Sequence, residues 1–273
     1  MPVRGYDQTF HSTDRDEARR LHALAAAYDG MTHRLLIPRL TGSAARCIDV
    51  GAGVGTVAAW LASRGCTVTA LDRDAGLLHA SEHAFAVVEA DVCADAYRPG
   101  PIFDLVFTRF LLMHLSAREA VLDRLLSWVK PGGWLVVIDG FDVSSPLSGD
   151  PDWLATITAF WAAAQGVLGT DTAWVRRYPE PLLRRGLHEV GQRTDLWEVR
   201  GGTPQATFFQ LTIPTFRSRM LASRQVTAEQ LDRVARALDD PAFAEFGIGL
   251  SSAWGRRPLS GDCVDAQDAA EQA

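Results

Sequence analysis

The 273-residue sequence contains one lysine, Lys130, and no asparagine. With a single lysine, no Schiff-base lysine, phosphate-loop lysine or Tyr/Lys dehydrogenase pair can be assembled elsewhere in the chain. Arginine and alanine are abundant instead, a bias that reads as genome composition. Cysteine is also scarce. Cys47, Cys66, Cys93 and Cys263 lie far apart without metal-ligand spacing, so no metal site is expected. Cys47 and Cys66 fall inside predicted strands, where a free thiol is a small apolar residue, and this usage suits a reducing cytoplasm. No run is long and apolar enough to span a bilayer. The segment from Met1 to Asp16 carries Arg4, Asp7, His11, Asp14 and Asp16, unlike a signal peptide, and no membrane partner is expected. Basic runs and Arg/aromatic patches are missing, and acids and bases are mixed around a net charge of −6. That balance argues against nucleic acid as a partner.

What is present suits one large α/β domain with a cap, since 47% of the residues are hydrophobic. Helical periodicity covers Asp14 to Tyr28, and after a turn at Asp29-Gly30 a second helix is predicted from Thr32 to Leu40. Strands and helices then alternate. Predicted strands are Arg46–Val50, Cys66–Leu71, Ala86–Glu89, Ile102–Thr108 and Trp134–Ile138. Helices are predicted over Thr56–Ser63 and Asp74–Ala80. Another starts from a Ser116 cap, with Glu119 as capping-box partner, and runs to Val129. Short apolar strands separated by helices imply a parallel sheet covered on both faces. Beyond it, Asp152–Leu168, Pro181–Val190, Thr207–Ser223 and Thr227–Leu238 read as helices. Asp195–Arg200 reads as a sixth strand and Gly247–Ala253 as an antiparallel seventh. The Ala-, Asp- and Gln-rich tail from Ser260 has little to bury and reads as disordered.

The strongest chemical signal is Cys47-Ile-Asp-Val-Gly-Ala-Gly-Val-Gly-Thr56. A strand ends at Val50, and glycines at 51, 53 and 55 let main chain turn tightly and lie against a ligand. A dinucleotide fingerprint would place its third glycine at position 56, which is Thr56. Asp72, at the end of the second strand, can accept both hydroxyls of a ribose. Asp91, after the third strand in Val88-Glu89-Ala90-Asp91-Val92, can take the exocyclic amine of an adenine. Each acid also has an ordinary reading, as a helix-start or loop residue.

Together, Asp49/Gly51/Gly53/Gly55, Asp72, Asp91, Phe103-Asp104-Leu105-Val106 and Lys130-Pro131-Gly132-Gly133-Trp134 resemble a class I S-adenosylmethionine-dependent methyltransferase. The resemblance is to the ubiquinone/menaquinone-biosynthesis type and its bacterial relatives that tailor natural products, including antibiotics. It runs from about Leu21 to Pro258, and the segments Ala27-Tyr-Asp-Gly-Met-Thr32, Arg109-Phe-Leu-Leu-Met-His-Leu115 and Ser252-Ala-Trp-Gly-Arg-Arg-Pro258 are similar to one bacterial branch. It implies a Rossmann-like seven-stranded mixed sheet with the last strand antiparallel, helices on both faces and a helical cap. Residues 1–42 would form N-terminal helices closing over the cofactor. Residues 43–258 would form the methyltransferase domain, with cap insertions at about 144–190 and 203–240, and 259–273 a disordered tail.

The resemblance also implies roles around S-adenosyl-L-methionine. Gly51, Gly53 and Gly55 would approach its methionine part, with Asp49 anchoring the loop and facing the amino group. Asp72 would hold the ribose, Asp91 and the Val92 amide the adenine, and Arg73 would cover one adenine face. Thr108 and Arg109 would turn backbone carbonyls to the ammonium group, and Tyr28 and Thr32 would close over the cofactor. No Asn/Asp-Pro-Pro-Tyr sequence follows the fourth strand, which disfavours nucleobase amines as acceptors.

On the acceptor side His114 is the candidate base, with a histidine pKa suited to the task, and His11 is a second. Within Leu111-Leu-Met-His-Leu115, His114 can instead hydrogen-bond at a helix start. Trp153 and Trp161 on one helical face suit a hydrophobic acceptor, as do core packing roles, and Arg177 and Tyr178 are candidate polar contacts. The expected activity is methyl transfer to O, N or C of a small hydrophobic secondary metabolite, by a monomer or homodimer. Its rivals are a methyltransferase-like enzyme that retains S-adenosylmethionine and guides a cyclisation, a non-enzymatic binding protein, and a nicotinamide-dependent dehydrogenase.

Overall fold

A computed structural model describes residues 9–10, 15–40, 42, 44–79, 84–94, 97–143 and 147–259. His11, the predicted helix start at Asp14 and the tail from Ser260 lie outside the described residues. In chain order, helix α1 (Arg15–Leu36) and a short 3-10 turn (Ile37–Arg39) lead into β1 (Arg46–Val50), α2 (Thr56–Ser63), β2 (Thr67–Asp72), α3 (Gly76–His79) and β3 (Ala86–Glu89). Then come β4 (Phe103–Arg109), a 3-10 turn (Leu112–His114), α4 (Arg118–Trp128), β5 (Val129–Phe141), α5 (Pro151–Leu168), α6 (Thr172–Val175) and α7 (Glu180–Leu183). The chain continues through β6 (His188–Asp195), β7 (Glu198–Arg200), α8 (Pro204–Ala222), α9 (Ala228–Ala237), β8 (Ala244–Phe246) and β9 (Gly249–Arg256).

Seven strands form one sheet in the order β3-β2-β1-β4-β5-β9-β6. β1 to β5 run parallel, and β9 runs against its neighbours β5 and β6. This is the Rossmann-like mixed sheet with its last strand antiparallel. Its central strands are buried on both faces, so they read as continuous apolar runs. Alternate residues still separate cleanly. Cys47, Leu105, Phe107, Val136 and Ile138 pack into a core with α1, α2, α5, α8 and α9. Ile48, Val50, Val106, Leu135 and Val137 pack into a second core with α4, α6 and α7.

Several predicted boundaries change. The Asp29-Gly30 turn does not form, and α1 runs unbroken through it. A mid-helix glycine costs only about 1 kcal/mol relative to alanine, and Asp29 is held from outside by Arg109 at 2.7 Å. Ser116 does not cap α4; its first turn begins at Arg118 without a side-chain cap. Glu119 instead accepts from Trp174 Nε1 at 2.8 Å and from Arg185. The predicted helix 181–190 is one turn, ended at Gly186 with φ +69°, and the sixth strand of the sheet starts at His188. Residues 198–200, predicted as part of that strand, pair with β8 in a separate two-stranded ribbon. Gly191 shows why β6 lies where it does: a Cβ there would come within 2.4 Å of the Trp254 ring on β9.

Candidate functional site

Strand order reverses at β1, which has β2 on one side and β4 on the other. In open α/β sheets, crevices form at such a switch point, beyond the carboxyl ends of the strands. A cavity of about 340 Å³ lies there. Its floor is the turn between β1 and α2, where Gly51 and Ala52 donate their N–H groups to Leu71 O at 2.8 and 3.2 Å. Gly51 and Gly53 line the cavity; Gly55 does not. Gly55 caps α2 in the left-handed region at φ +73°, and its missing Cβ leaves room for Leu78 and Phe85, 2.8 and 3.0 Å from where that atom would stand. The third glycine therefore seats the loop on the protein.

Two acids from neighbouring strand ends face the same cavity. Asp72, the last residue of β2, accepts from Gly53 N–H at 2.8 Å and Asp74 N–H at 3.2 Å. Burial pushes its carboxyl up, and these hydrogen bonds oppose the shift. Asp91, beyond β3, accepts from Cys93 N–H at 2.8 Å. Val92 and Arg73 also line the wall, and the Val92 carbonyl accepts from Arg124.

Asp49 reaches the cavity from β1 while only 3% exposed. Burial is the main cause that pushes its carboxyl up to about 7; Arg109 pulls it down, and Asp72 and Asp29 add to the rise. A dry carboxylate facing a cavity favours a cationic ligand. Arg109, at the end of β4, also lines the cavity, and its guanidinium turns to α1. It donates to Thr32 Oγ1 and Asp29 Oδ1, each at 2.7 Å. Tyr28, Thr32 and Thr108 stand behind the wall. Tyr28 packs on Phe110 and Trp197, and burial raises its phenol. Thr32 donates to Tyr28 O at 3.0 Å.

The roof is aromatic, from Phe160 and Trp161 on α5 and Phe208 and Phe216 on α8. His114 is set in the wall with Nδ1 2.9 Å from Thr170 Oγ1. Burial, reinforced by Arg20 and Arg118, pushes its imidazole down to about 3. At neutral pH the ring is therefore uncharged, the form a base requires, while burial disfavours its conjugate acid.

Three other candidates lie elsewhere. Trp153 is fully buried under Phe209 and Phe243 and donates Nε1–H to Phe246 O at 3.0 Å, so it belongs to the core. Arg177 is exposed and bonds Glu180 at 2.8 Å. Tyr178 is buried in the opposite core and donates to Asp139 Oδ2 at 2.7 Å. Among the described residues no His/Cys/Asp/Glu cluster could hold a metal, and no helix is long and apolar enough to cross a membrane.

The sequence reading missed Glu17 and Arg20. Both line the cavity from α1, 5% and 4% exposed respectively, joined by two hydrogen bonds of 2.7 Å. A signal existed: both continue the helical face of Leu21, Leu24 and Tyr28 with charge where apolar residues are expected.

A family model described as a methyltransferase domain matches residues 48–137. Trans-aconitate 2-methyltransferase of Paracidovorax citrulli (strain AAC00-1) is 32% identical over 110 residues, covering 38% of this chain and 42% of that protein. The chain thus spans less than half the length of that curated relative. Among solved structures, Haemonchus contortus phosphoethanolamine N-methyltransferase 2, in complex with phosphomonomethylethanolamine and S-adenosylhomocysteine, superposes with a TM-score of 0.57 at 15% identity. That match covers 95% of this chain and 62% of the other. The cyclase SpnF superposes with a TM-score of 0.52 at 18% identity, covering 95% of this chain and 99% of that one. At these identities the likeness is one of fold.

Proposed function

We propose that this chain, whose residues 48–137 match a methyltransferase-domain model, is a class I S-adenosylmethionine-dependent methyltransferase that methylates an oxygen, nitrogen or carbon of a small hydrophobic acceptor. The observation that supports this reading is the cavity shared by Asp49, Asp72 and Asp91 at the strand ends and by the aromatic residues of α5 and α8. A sulfonium amino acid on an adenosyl group is cationic at one end and rich in hydroxyl and amine donors at the other. Asp49 suits the first, and Asp72 and Asp91 suit the second.

In this proposal Gly51 and Gly53 let the methionine part approach the main chain, with Asp49 opposite its ammonium group. Asp72 receives the ribose hydroxyls, Asp91 and the Val92 amide the adenine, and Arg73 covers one of its faces. The backbone at Thr108 and Arg109 closes the ammonium site. Tyr28 and Thr32 act through Arg109, and Gly55 acts through the loop. When bound, the cofactor supplies an activated methyl group with a good leaving group. The protein's task is then alignment, worth roughly 7–11 kcal/mol when the reacting atoms are well oriented. Trp161, Phe160, Phe208 and Phe216 exclude water and hold the acceptor, and His114 orients it as a neutral hydrogen-bonding ring. Helices α1, α5 and α8 supply the cover over the cavity. The setting proposed is cytoplasmic natural-product tailoring, by a monomer or homodimer.

Calorimetric titration with S-adenosylmethionine, its demethylated product and NADH tests the cofactor. Asp72→Ala should weaken binding of the first two by at least about tenfold, consistent with loss of a charged hydrogen bond, without changing the circular dichroism spectrum. Unchanged affinity would overturn the assignment. The fold shared with SpnF over nearly both chains supports a second reading, cyclisation with the cofactor retained. Release of S-adenosylhomocysteine in step with product distinguishes methyl transfer from it.

A further inference from the structure

We propose that the Glu17–Arg20 pair reads the acceptor, and that it selects a neutral, apolar molecule bearing a hydroxyl or carbonyl group over an anionic one. This rests on the methyl-transfer reading of the same cavity. The two residues sit one turn apart on α1, and Nε and Nη2 of Arg20 donate to the two Glu17 oxygens at 2.7 Å each. The guanidinium carbon lies 4.2 Å from the centroid of Phe10 and 5.6 Å from that of Phe208. The fork is thus clamped among aromatic rings on the wall made by α1 and α8.

Stability alone does not account for such a pair. Burying two charges is costly, and apolar side chains of similar volume would close the same wall at equal or lower cost. The pair gives the chamber a fixed donor and acceptor without net charge. Among the described residues, five carboxylates line the cavity (Glu17, Asp49, Asp72, Asp74 and Asp91) against three guanidiniums, those of Arg20, Arg73 and Arg109. Glu17 holds Arg20, and Asp29 holds Arg109. His114, uncharged at neutral pH, adds no cation to the wall. An anionic acceptor would therefore enter a chamber with surplus negative charge. A neutral hydroxyl or carbonyl can bond to the fork while the ion pair stays intact. This is the opposite charge class from the trans-aconitate in the relative's name.

The test is calorimetric titration of naphthol and of naphthoate, matched in size and differing in charge, onto the full chain saturated with S-adenosylhomocysteine near neutral pH. Wild type should bind naphthol at least about tenfold more tightly than naphthoate, because unfavourable juxtaposition of like charges is expensive in a dry site. Glu17→Gln keeps the side-chain shape and removes one negative charge from beside the guanidinium. It should move the ratio at least about tenfold toward naphthoate. The double variant Glu17→Gln/Arg20→Met removes both charges and should return the preference to naphthol. Absence of naphthol binding, a wild-type preference for naphthoate, or a ratio unmoved by Glu17→Gln overturns the proposal. Should Glu17→Gln fail to fold, the wild-type ratio and the double variant decide. The S-adenosylhomocysteine titration is read separately, so failure of the methyltransferase reading registers there.

Discussion

Replacing Asp49 with asparagine separates two effects of one buried carboxylate. Burial pushes this group from its usual 3.8 up to about 7. Between those values the folded chain holds a proton that the unfolded chain has released. Stability therefore falls as pH rises through this window, and above pH 7 the folded state carries the whole cost of a dry charge. The gap corresponds to roughly 4 kcal/mol as an upper figure. A neutral amide at this position would carry no such cost. For a domain of this size about 1 kcal/mol moves the melting temperature by roughly 2–4 °C. The variant should therefore melt above wild type at about pH 8, by at most roughly 8–16 °C, with the difference shrinking toward about pH 5 as the wild-type carboxyl takes up its proton. Cofactor affinity should move the other way. In wild type it should rise with pH up to about 7 and then level, since the role proposed for the ionised carboxylate is to hold the ammonium group. In Asp49→Asn it should be weaker by roughly 10–100-fold, the worth of one hydrogen bond to a charged group, and flat with pH. Differential scanning fluorimetry and calorimetry on both proteins across this range measure the two effects. A stability difference that does not grow with pH, or an affinity the substitution leaves intact, would refute the reasoning.

Gly55→Ala places a Cβ 2.8 Å from Leu78 Cδ2 on a residue with φ +73°; a loss of about 1–3 kcal/mol in urea unfolding is expected, and a loss under about 0.5 kcal/mol would contradict the packing described. His114→Gln should lower turnover yet leave the pH–rate profile unchanged between about pH 5 and 8, because the wild-type ring takes a proton only near 3. Disappearance of a limb near pH 6.5 in the variant would show that the ring titrates there after all. Tyr178→Phe removes the 2.7 Å hydrogen bond to Asp139, whose carboxyl burial pushes up to about 7. It should cost about 1–3 kcal/mol, more above pH 7, where Asp139 is ionised, than below; thermal melts at the two pH values check this.

Local pattern made β1, α2 and β3 legible, because each is a short apolar run bounded by glycine or by a charged residue. The same logic failed where distant partners decide. The Asp29-Gly30 signal for a turn is overridden by Arg109, eighty positions away in sequence, which fixes Asp29 within α1. Residues 181–190 carry leucines at helical spacing, but pairing with β9 claims everything after Gly186 for the sheet edge. Trp153 and Trp161 lie on the same helix, two turns apart. Only the arrival of α8 and the 240s segment sends the first into the core and leaves the second at the cavity. His114 is the clearest electrostatic case. Its usual pKa is a property of the residue type, whereas the shift to about 3 comes chiefly from burial beneath surrounding elements, with Arg20 and Arg118 adding to it. Glu17 and Arg20 could have been found as charges inside an apolar stripe.

Helix α1 joins two distant tasks. Near its start it carries the Glu17–Arg20 fork, and a few turns later Asp29 and Thr32 are clasped by Arg109 at the tip of β4. One continuous helix thus supplies both a buried ion pair in the cavity wall and the two groups that hold the Arg109 guanidinium. A break in α1 near Asp29-Gly30 would therefore disturb two parts of the cavity wall at once.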